Sequence, residues 1–229
     1  MPAPADIDFE WHATLTDWLA GVFRTPLSVT MVDNYRDGLG SLLQEALERE
    51  RGSPEGALAM RQALIRDEAT ETAVRRLGIA FTELFEGIGG PRTVSPFESA
   101  HASPTGRLFQ APSRVMKQRL SKAQLTLSRE DNEPADHLSI ELALLARLMR
   151  RDASDDDQLA LFDDHLLVWV PGFARAVKDQ DNTGFYAGAA SLLLDFLAER
   201  RGALANRLSQ QGHASADRSR ERIEPCRTE

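Results

Sequence analysis

The chain has 229 residues, 42% of them apolar, with 35 acidic against 27 basic side chains and a formal net charge of −8. That length suits one sizeable domain or two small ones, and the acidic balance, with a pI of about 5.2, argues against a nucleic-acid binder, which carries a basic footprint. Cys226 is the single cysteine, which excludes an intramolecular disulfide framework and a zinc knuckle.

The first stripe is Trp11, Leu15, Trp18, Leu19, Val22 and Phe23. Its spacing predicts a helix, which Pro26 ends. Ser28 to Tyr35 adds a helical turn or two. Leu39, Leu42, Leu43, Ala46 and Leu47 give another stripe, stopped near Gly52-Ser53-Pro54. A long pattern runs from Glu55 to about Glu86, divided near Asp67, with Val74, Leu77, Phe81, Leu84 and Phe85 on one face. Gly87-Ile88-Gly89-Gly90-Pro91 interrupts it, and a loop continues through Val94 to Ser99. Pro112 then starts a helix with Val115, Met116 and Leu120 inward.

At the centre stands Glu133-Pro134-Ala135-Asp136-His137-Leu138. Pro134 suits a first helical turn, and Leu138, Leu142, Leu145, Leu148 and Met149 follow at helical spacing. Asp152 to Asp157 is an acidic run that reads as a solvated cap. Leu159, Phe162, Leu166, Trp169 and Val170 form the next stripe, which Pro171 is expected to halt, and Phe173 and Val177 suggest a brief helix. The last helix carries Tyr186, Ala189, Leu193, Phe196 and Leu197 and is expected to end near Gly202. From about Ser209 the chain is polar and reads as disordered. No period-2 alternation and no internal repeat appear. The fold class is all-α.

No run of about 18 apolar residues is present, so nothing is expected to span a membrane. Met1 to Asp6 lacks a basic stretch followed by an apolar core, so no export signal is expected. The expected location is the cytoplasm.

The chemistry-bearing residues give few enzyme signals. The histidines His12, His101, His137, His165 and His213 show no i, i+4 pairing, so no metal site is expected. Asp163-Asp164-His165 reads as solvated helix surface, because helical neighbours point different ways. No Gly-x-Ser-x-Gly elbow exists. Gly87 to Gly90 follows a helix and lacks the Lys-Ser/Thr end of a phosphate loop, so it reads as a helix stop. Asp136 has two readings. It caps a helix, or it presents an exposed carboxylate to a basic ligand.

Four motifs then fall in order: Phe81-x-x-Leu84-Phe85-x-Gly87-x-Gly89; Val94-Ser95-Pro96-Phe97-Glu98-Ser99; Glu133-Pro134-x-Asp136-His137-Leu138 with Glu141-Leu142 one turn on; and His165-Leu166-x-x-Trp169-x-Pro171-x-Phe173 followed by Phe185-Tyr186. Together they resemble the TorD/DmsD family of cytoplasmic molybdoenzyme maturation chaperones, over roughly Val74 to Glu199. Phe97 and His101 depart from the pattern, standing where many members carry tryptophan and tyrosine.

The resemblance implies two helical subdomains joined by a hinge: residues 1–128, a hinge at 129–137, residues 138–205, and a tail at 206–229. It implies binding rather than catalysis. The partner would be the precursor of a molybdopterin oxidoreductase, of the dimethyl sulfoxide or trimethylamine oxide reductase kind, with its twin-arginine leader. The chaperone would assist cofactor insertion and delay export. It would hold no cofactor itself, since the client carries the molybdopterin, and would be a monomer or a domain-swapped dimer. Asp136 and His137 are then the leading peptide-binding residues, with Glu133 and Pro134 shaping the hinge. Pro96, Phe97, Glu98, Trp169 and Pro171 would line or hold the groove, although Trp169 suits ordinary core packing equally well. A carboxylate accepts bidentate bonds from a guanidinium, and the net charge attracts a basic peptide. The alternatives are a NarJ-like assembly factor for a non-exported subunit and a nucleotide hydrolase built on Gly87 to Gly90.

Overall fold

A computed structural model describes residues 4–40, 54–66, 68–102, 108, 110–126, 134–150 and 154–221. Among these residues there is no β-strand; an isolated antiparallel bridge pairs Phe97 with His137. No helix is long and apolar enough to cross a membrane.

Helix α1 spans Pro4–Val22 and α2 spans Val29–Asn34, passing into a π-helical turn at Tyr35–Leu39. Ser28 starts α2 by accepting a hydrogen bond from the Met31 N–H, the usual N-cap device. The stripe expected from Leu42 to Leu47 lies outside the described residues. Helices α3 (Pro54–Leu64) and α4 (Thr70–Phe85) flank the expected break at Asp67. Arg36 holds that break by donating to the Leu64 carbonyl at 2.9 Å and the Glu68 carbonyl at 3.0 Å. Gly87, with φ +79°, follows the end of α4, so this glycine loop acts as a helix stop.

Helix α5 is the five-residue Glu98–Ala102, and α6 is Ala111–Lys122. Met116 and Leu120 point inward as expected, but Val115 is 41% exposed. It precedes the inward Met116 and therefore lies about 100° around the helix from it. Helix α7 is Leu138–Arg150 and α8 is Asp155–Leu161. Ser154 caps α8 by accepting from the Asp157 N–H, so the described part of the acidic run is a helix start. A π-helical turn at Phe162–Leu166 joins α8 to α9, Leu167–Gln180. Pro171 does not halt this rod; it lies inside α9, between the buried Trp169 and Val170 and the buried Phe173 and Ala174. Helix α10 does not end near Gly202: it runs from Phe185 to Glu221.

The core crosses the middle of the sequence. Helix α1 packs along α7, and α3 along α10. Phe23, Phe81, Phe85, Phe173 and Tyr186 form one aromatic cluster, with ring centroids 5.2 to 6.0 Å apart. Four of these six contacts are edge-to-face, an arrangement that adds to the burial of each ring. Of the expected hinge, only residues 134–137 are described.

Candidate functional site

The motif residues meet where two loops cross. The turn Pro134–His137 runs beside Pro96–Ser99. The Glu98 N–H donates to the Asp136 carbonyl at 3.0 Å, and the Leu138 N–H to the Pro96 carbonyl at 2.8 Å. These bonds join segments far apart in sequence into one short ladder. The Ala135 N–H donates to Ser113 Oγ on α6, which ties in a third element.

Asp136 sits at the crossing with no exposed surface. Its Oδ2 accepts a hydrogen bond from the Ser99 N–H at 2.8 Å. It therefore caps α5, 37 residues away, rather than its own helix. This corrects the expectation of an exposed carboxylate. The physical reason is that Ser99 lies in the first turn of α5, where backbone N–H groups lack intrahelical partners.

His137 takes the capping role for α7. Its Nδ1 accepts from the Ser139 N–H at 3.1 Å and lies 2.8 Å from Ser139 Oγ. Ser139 Oγ accepts in turn from Arg24. The ring stands edge-on to Phe97, with centroids 4.8 Å apart. Burial, and then the Arg24 charge, push the His137 pKa down to about 4, against an opposing pull from Asp136. The imidazole is neutral at physiological pH.

Behind the turn lies a second polar cluster. His165 Nδ1 is 2.8 Å from Glu98 Oε2, and the Trp169 indole N–H donates to Glu141 Oε2 at 3.1 Å. Glu141 has no exposed surface. Burial first, and then the neighbouring Glu98 carboxylate, raise its pKa well above the usual carboxylate range, opposed by the Trp169 N–H. His101 packs on Trp169 at 5.1 Å and lies 2.8 Å from the Ser95 carbonyl.

His165 corrects the expectation of a solvated Asp163-Asp164-His165 surface. Asp163 and Asp164 are indeed exposed, pairing with Arg201 and Arg119, but His165 is buried. It belongs to the Phe162/Leu166 face, and its ring finds a carboxylate on α5. Glu141 has the same signal. Each is an ionisable residue on an apolar stripe, where burial demands a partner.

The structure thus brings together Pro96, Phe97, Glu98, Pro134, Asp136, His137 and Trp169. All are buried except Phe97, which is half-buried. Glu133 lies outside the described residues. Trp169 is core, 3% exposed. Pro171, half-buried, opens instead on a groove of about 630 Å³ between α3, α9 and α10. Ala59, Ala174 and Leu194 supply apolar wall there, while Glu55 and Asp195 share the lining with Arg175 and Lys178.

Comparison with known proteins places this geometry in context. The family model described as nitrate reductase delta subunit matches residues 48–175, a span that holds every one of the motif residues from Pro96 to Pro171. The chain is 30% identical over 192 residues to the Chaperone protein TorD of Ferrimonas balearica, covering 82% of this chain and 88% of that one. It is 31% identical over 198 residues to the protein of that name from Vibrio atlanticus, covering 82% and 91%. The Aeromonas salmonicida protein of that name is 33% identical over 205 residues, covering 82% and 88%.

Proposed function

The chain belongs to the nitrate reductase delta subunit family, alongside the TorD chaperones, and on that premise we propose that it binds the twin-arginine leader, the unfinished body, or both, of a molybdopterin oxidoreductase. It holds this client for cofactor insertion and delays its export. It works in the cytoplasm, as a monomer or a domain-swapped dimer, and the molybdopterin belongs to the client. The observation that carries this reading is the family match across residues 48–175, which contains all nine motif residues.

The eight described residues divide by exposure, Glu133 lying outside the described residues. Phe97 and Pro171 are half-buried and touch the peptide. Pro96, Glu98, Pro134, Asp136, His137 and Trp169 are buried and act by fixing α5, α7 and α9 relative to one another. The apolar part of the leader lies along the groove at Pro171, and the Glu55 and Asp195 carboxylates that line it receive guanidinium groups. Glu55 is exposed and Asp195 half-buried, so such bonds contribute about 0–1 kcal/mol where they stay exposed and about 1.5–3 kcal/mol where the bound peptide shields them.

Calorimetric titration with a synthetic twin-arginine leader, beside a twin-lysine control, tests the reading. Lysine keeps the charge but loses the planar fork. The expected result is binding that weakens at least tenfold in the control. Asp195→Asn weakens binding and leaves the melting temperature unchanged. Asp136→Ala weakens binding and also costs about 1–3 kcal/mol of stability, because the buried Ser99 N–H loses its acceptor. Equal affinity for both leaders would remove guanidinium recognition from the proposal.

The name of the matching family model favours a second reading, an assembly factor for a nitrate-reductase-type subunit that is not exported. Pull-down of a molybdoenzyme partner lacking any twin-arginine leader would favour it over the first.

A further inference from the structure

We propose that Glu98, Glu141 and His165 form a site for one divalent cation of the zinc or manganese class, which ties α5, α7 and the π-helical turn together. The inference stands on these side chains and does not depend on the client. The three residues offer one ligand atom each, all within 4.8 Å of one another. They come from three separate elements, so no spacing rule along the sequence reveals them. Glu98 and His165 are 4% exposed, and Glu141 is fully buried.

The orphaned oxygen carries the argument further. Glu141 Oε1 is buried and has no hydrogen-bond donor among the described residues. A carboxylate oxygen of Glu98 lies within 4.8 Å of one of Glu141, so acceptor faces acceptor. Two carboxylates cannot share a dry site without positive charge between them. Either a proton or a metal ion supplies it. The donor set suits the metal. Two carboxylates and a neutral imidazole balance a divalent charge. Zinc and manganese take mixed nitrogen and oxygen donors, whereas magnesium and calcium favour all-oxygen sites.

Orientation points the same way. The Trp169 N–H holds Glu141 Oε2, an outer-shell bond of the type that aims a carboxylate at a metal. Ligands at about 2.1 Å from a common ion stand roughly 3.4 Å apart. The 2.8 Å separation of His165 Nδ1 and Glu98 Oε2 must therefore open by well under an ångström.

The full-length protein, stripped with a chelator and dialysed, is titrated with Zn²⁺ in a calorimeter. One equivalent is expected to bind. At a hundredfold excess over Kd the melting temperature rises by roughly 5–10 °C. Co²⁺ in place of zinc gives a visible ligand-field absorption band. Glu141→Gln is isosteric with the protonated carboxyl, so the chelator-treated variant keeps the wild-type melting temperature while losing at least tenfold in Zn²⁺ affinity. His165→Gln loses the metal similarly, and comparing its circular dichroism with that of Glu141→Gln separates metal loss from unfolding. Absence of Zn²⁺ and Mn²⁺ binding by the wild type would overturn the proposal and leave a shared proton in the cluster. Unchanged affinity in Glu141→Gln would overturn it equally, by placing the bound metal elsewhere.

Discussion

At the level of single side chains, His137 shows how a buried imidazole couples the fold to pH. Its Nδ1 accepts from the Ser139 N–H, a bond that a protonated ring cannot make. Its pKa is pushed down to about 4, by burial first and then by Arg24, from an unfolded value near 6.5. The unfolded chain therefore binds a proton first as pH falls. The contribution of His137 is complete above about pH 6.5, declines as pH falls towards 4, and is gone below that. Over the whole window the change is about 3 kcal/mol. Glu141 works in the opposite sense. In the metal-free protein its raised pKa means that its contribution is lost as pH rises above the ordinary carboxylate value. Wild-type stability alone thus mixes two slopes. His137→Asn keeps an acceptor for the Ser139 N–H and does not titrate. Denaturant melts of both proteins from pH 7.5 to pH 4 isolate the histidine. The expected result is a stability gap that closes as pH falls. A gap of constant size would show that His137 is not held neutral.

Between elements, α3 and α10 approach closely at Gly56 and Gly188. A Cβ built on Gly188 would lie 2.6 Å from the Gly56 carbonyl and 2.9 Å from Met60 Cγ. Gly188→Ala must push the helices apart, at a cost of about 1–3 kcal/mol. That outweighs the roughly 1 kcal/mol gain in helix propensity. Gly202 lies in the same helix with nothing within 4 Å of an added Cβ. Gly202→Ala therefore stabilises by about 0.5–1 kcal/mol. Thermal melts of the two variants should shift in opposite directions; shifts of the same sign would contradict the crossing geometry. Helix existence was largely legible from periodicity, including the break near Asp67 and the stop at Gly87. Pro171 was not. Its local cost of about 3 kcal/mol is outweighed by burial on either side, since Val170, Phe173 and Val177 all enter the core, each contributing about 1.5–3 kcal/mol. That term depends on Phe23, on Phe85 in α4 and on α10, which no window along the chain contains. The site divides in the same way. The helix after the motif was readable from its apolar stripe, but Pro134 reads as a first helical turn, whereas Pro134–His137 form a turn and α7 starts at Leu138. The partner of Asp136 was not, because Ser99 lies in another segment and offers only a backbone N–H. Glu141 and His165 carried a legible warning as ionisable groups on apolar faces, yet nothing in their spacing pairs them with Glu98.

For the molecule as a whole, the net charge of −8 acts at long range, while the site residues act at contact. A leader with two arginines approaches through this field. At about 0.01 M salt the Debye length is roughly 30 Å, so most of the surface attracts it; at about 0.15 M it is roughly 8 Å, and only nearby groups contribute. Steering changes the association rate. Dissociation reports on the bonds made after docking, and a guanidinium paired with the half-buried Asp195 and covered by the bound peptide is screened less by salt than an open surface pair. The two rates should therefore respond differently. In stopped-flow mixing with a fluorescent twin-arginine leader, kon is expected to fall roughly tenfold between those salt concentrations, while koff changes less than threefold. The twin-lysine control retains the charge, so its kon should follow the same salt curve, with a faster koff at every point because the bidentate fork is lost. A salt dependence residing in koff for the arginine leader would place its guanidinium groups on exposed surface. A kon insensitive to salt would show that the acidic surface does not guide the peptide, leaving apolar contact to determine how often encounter succeeds.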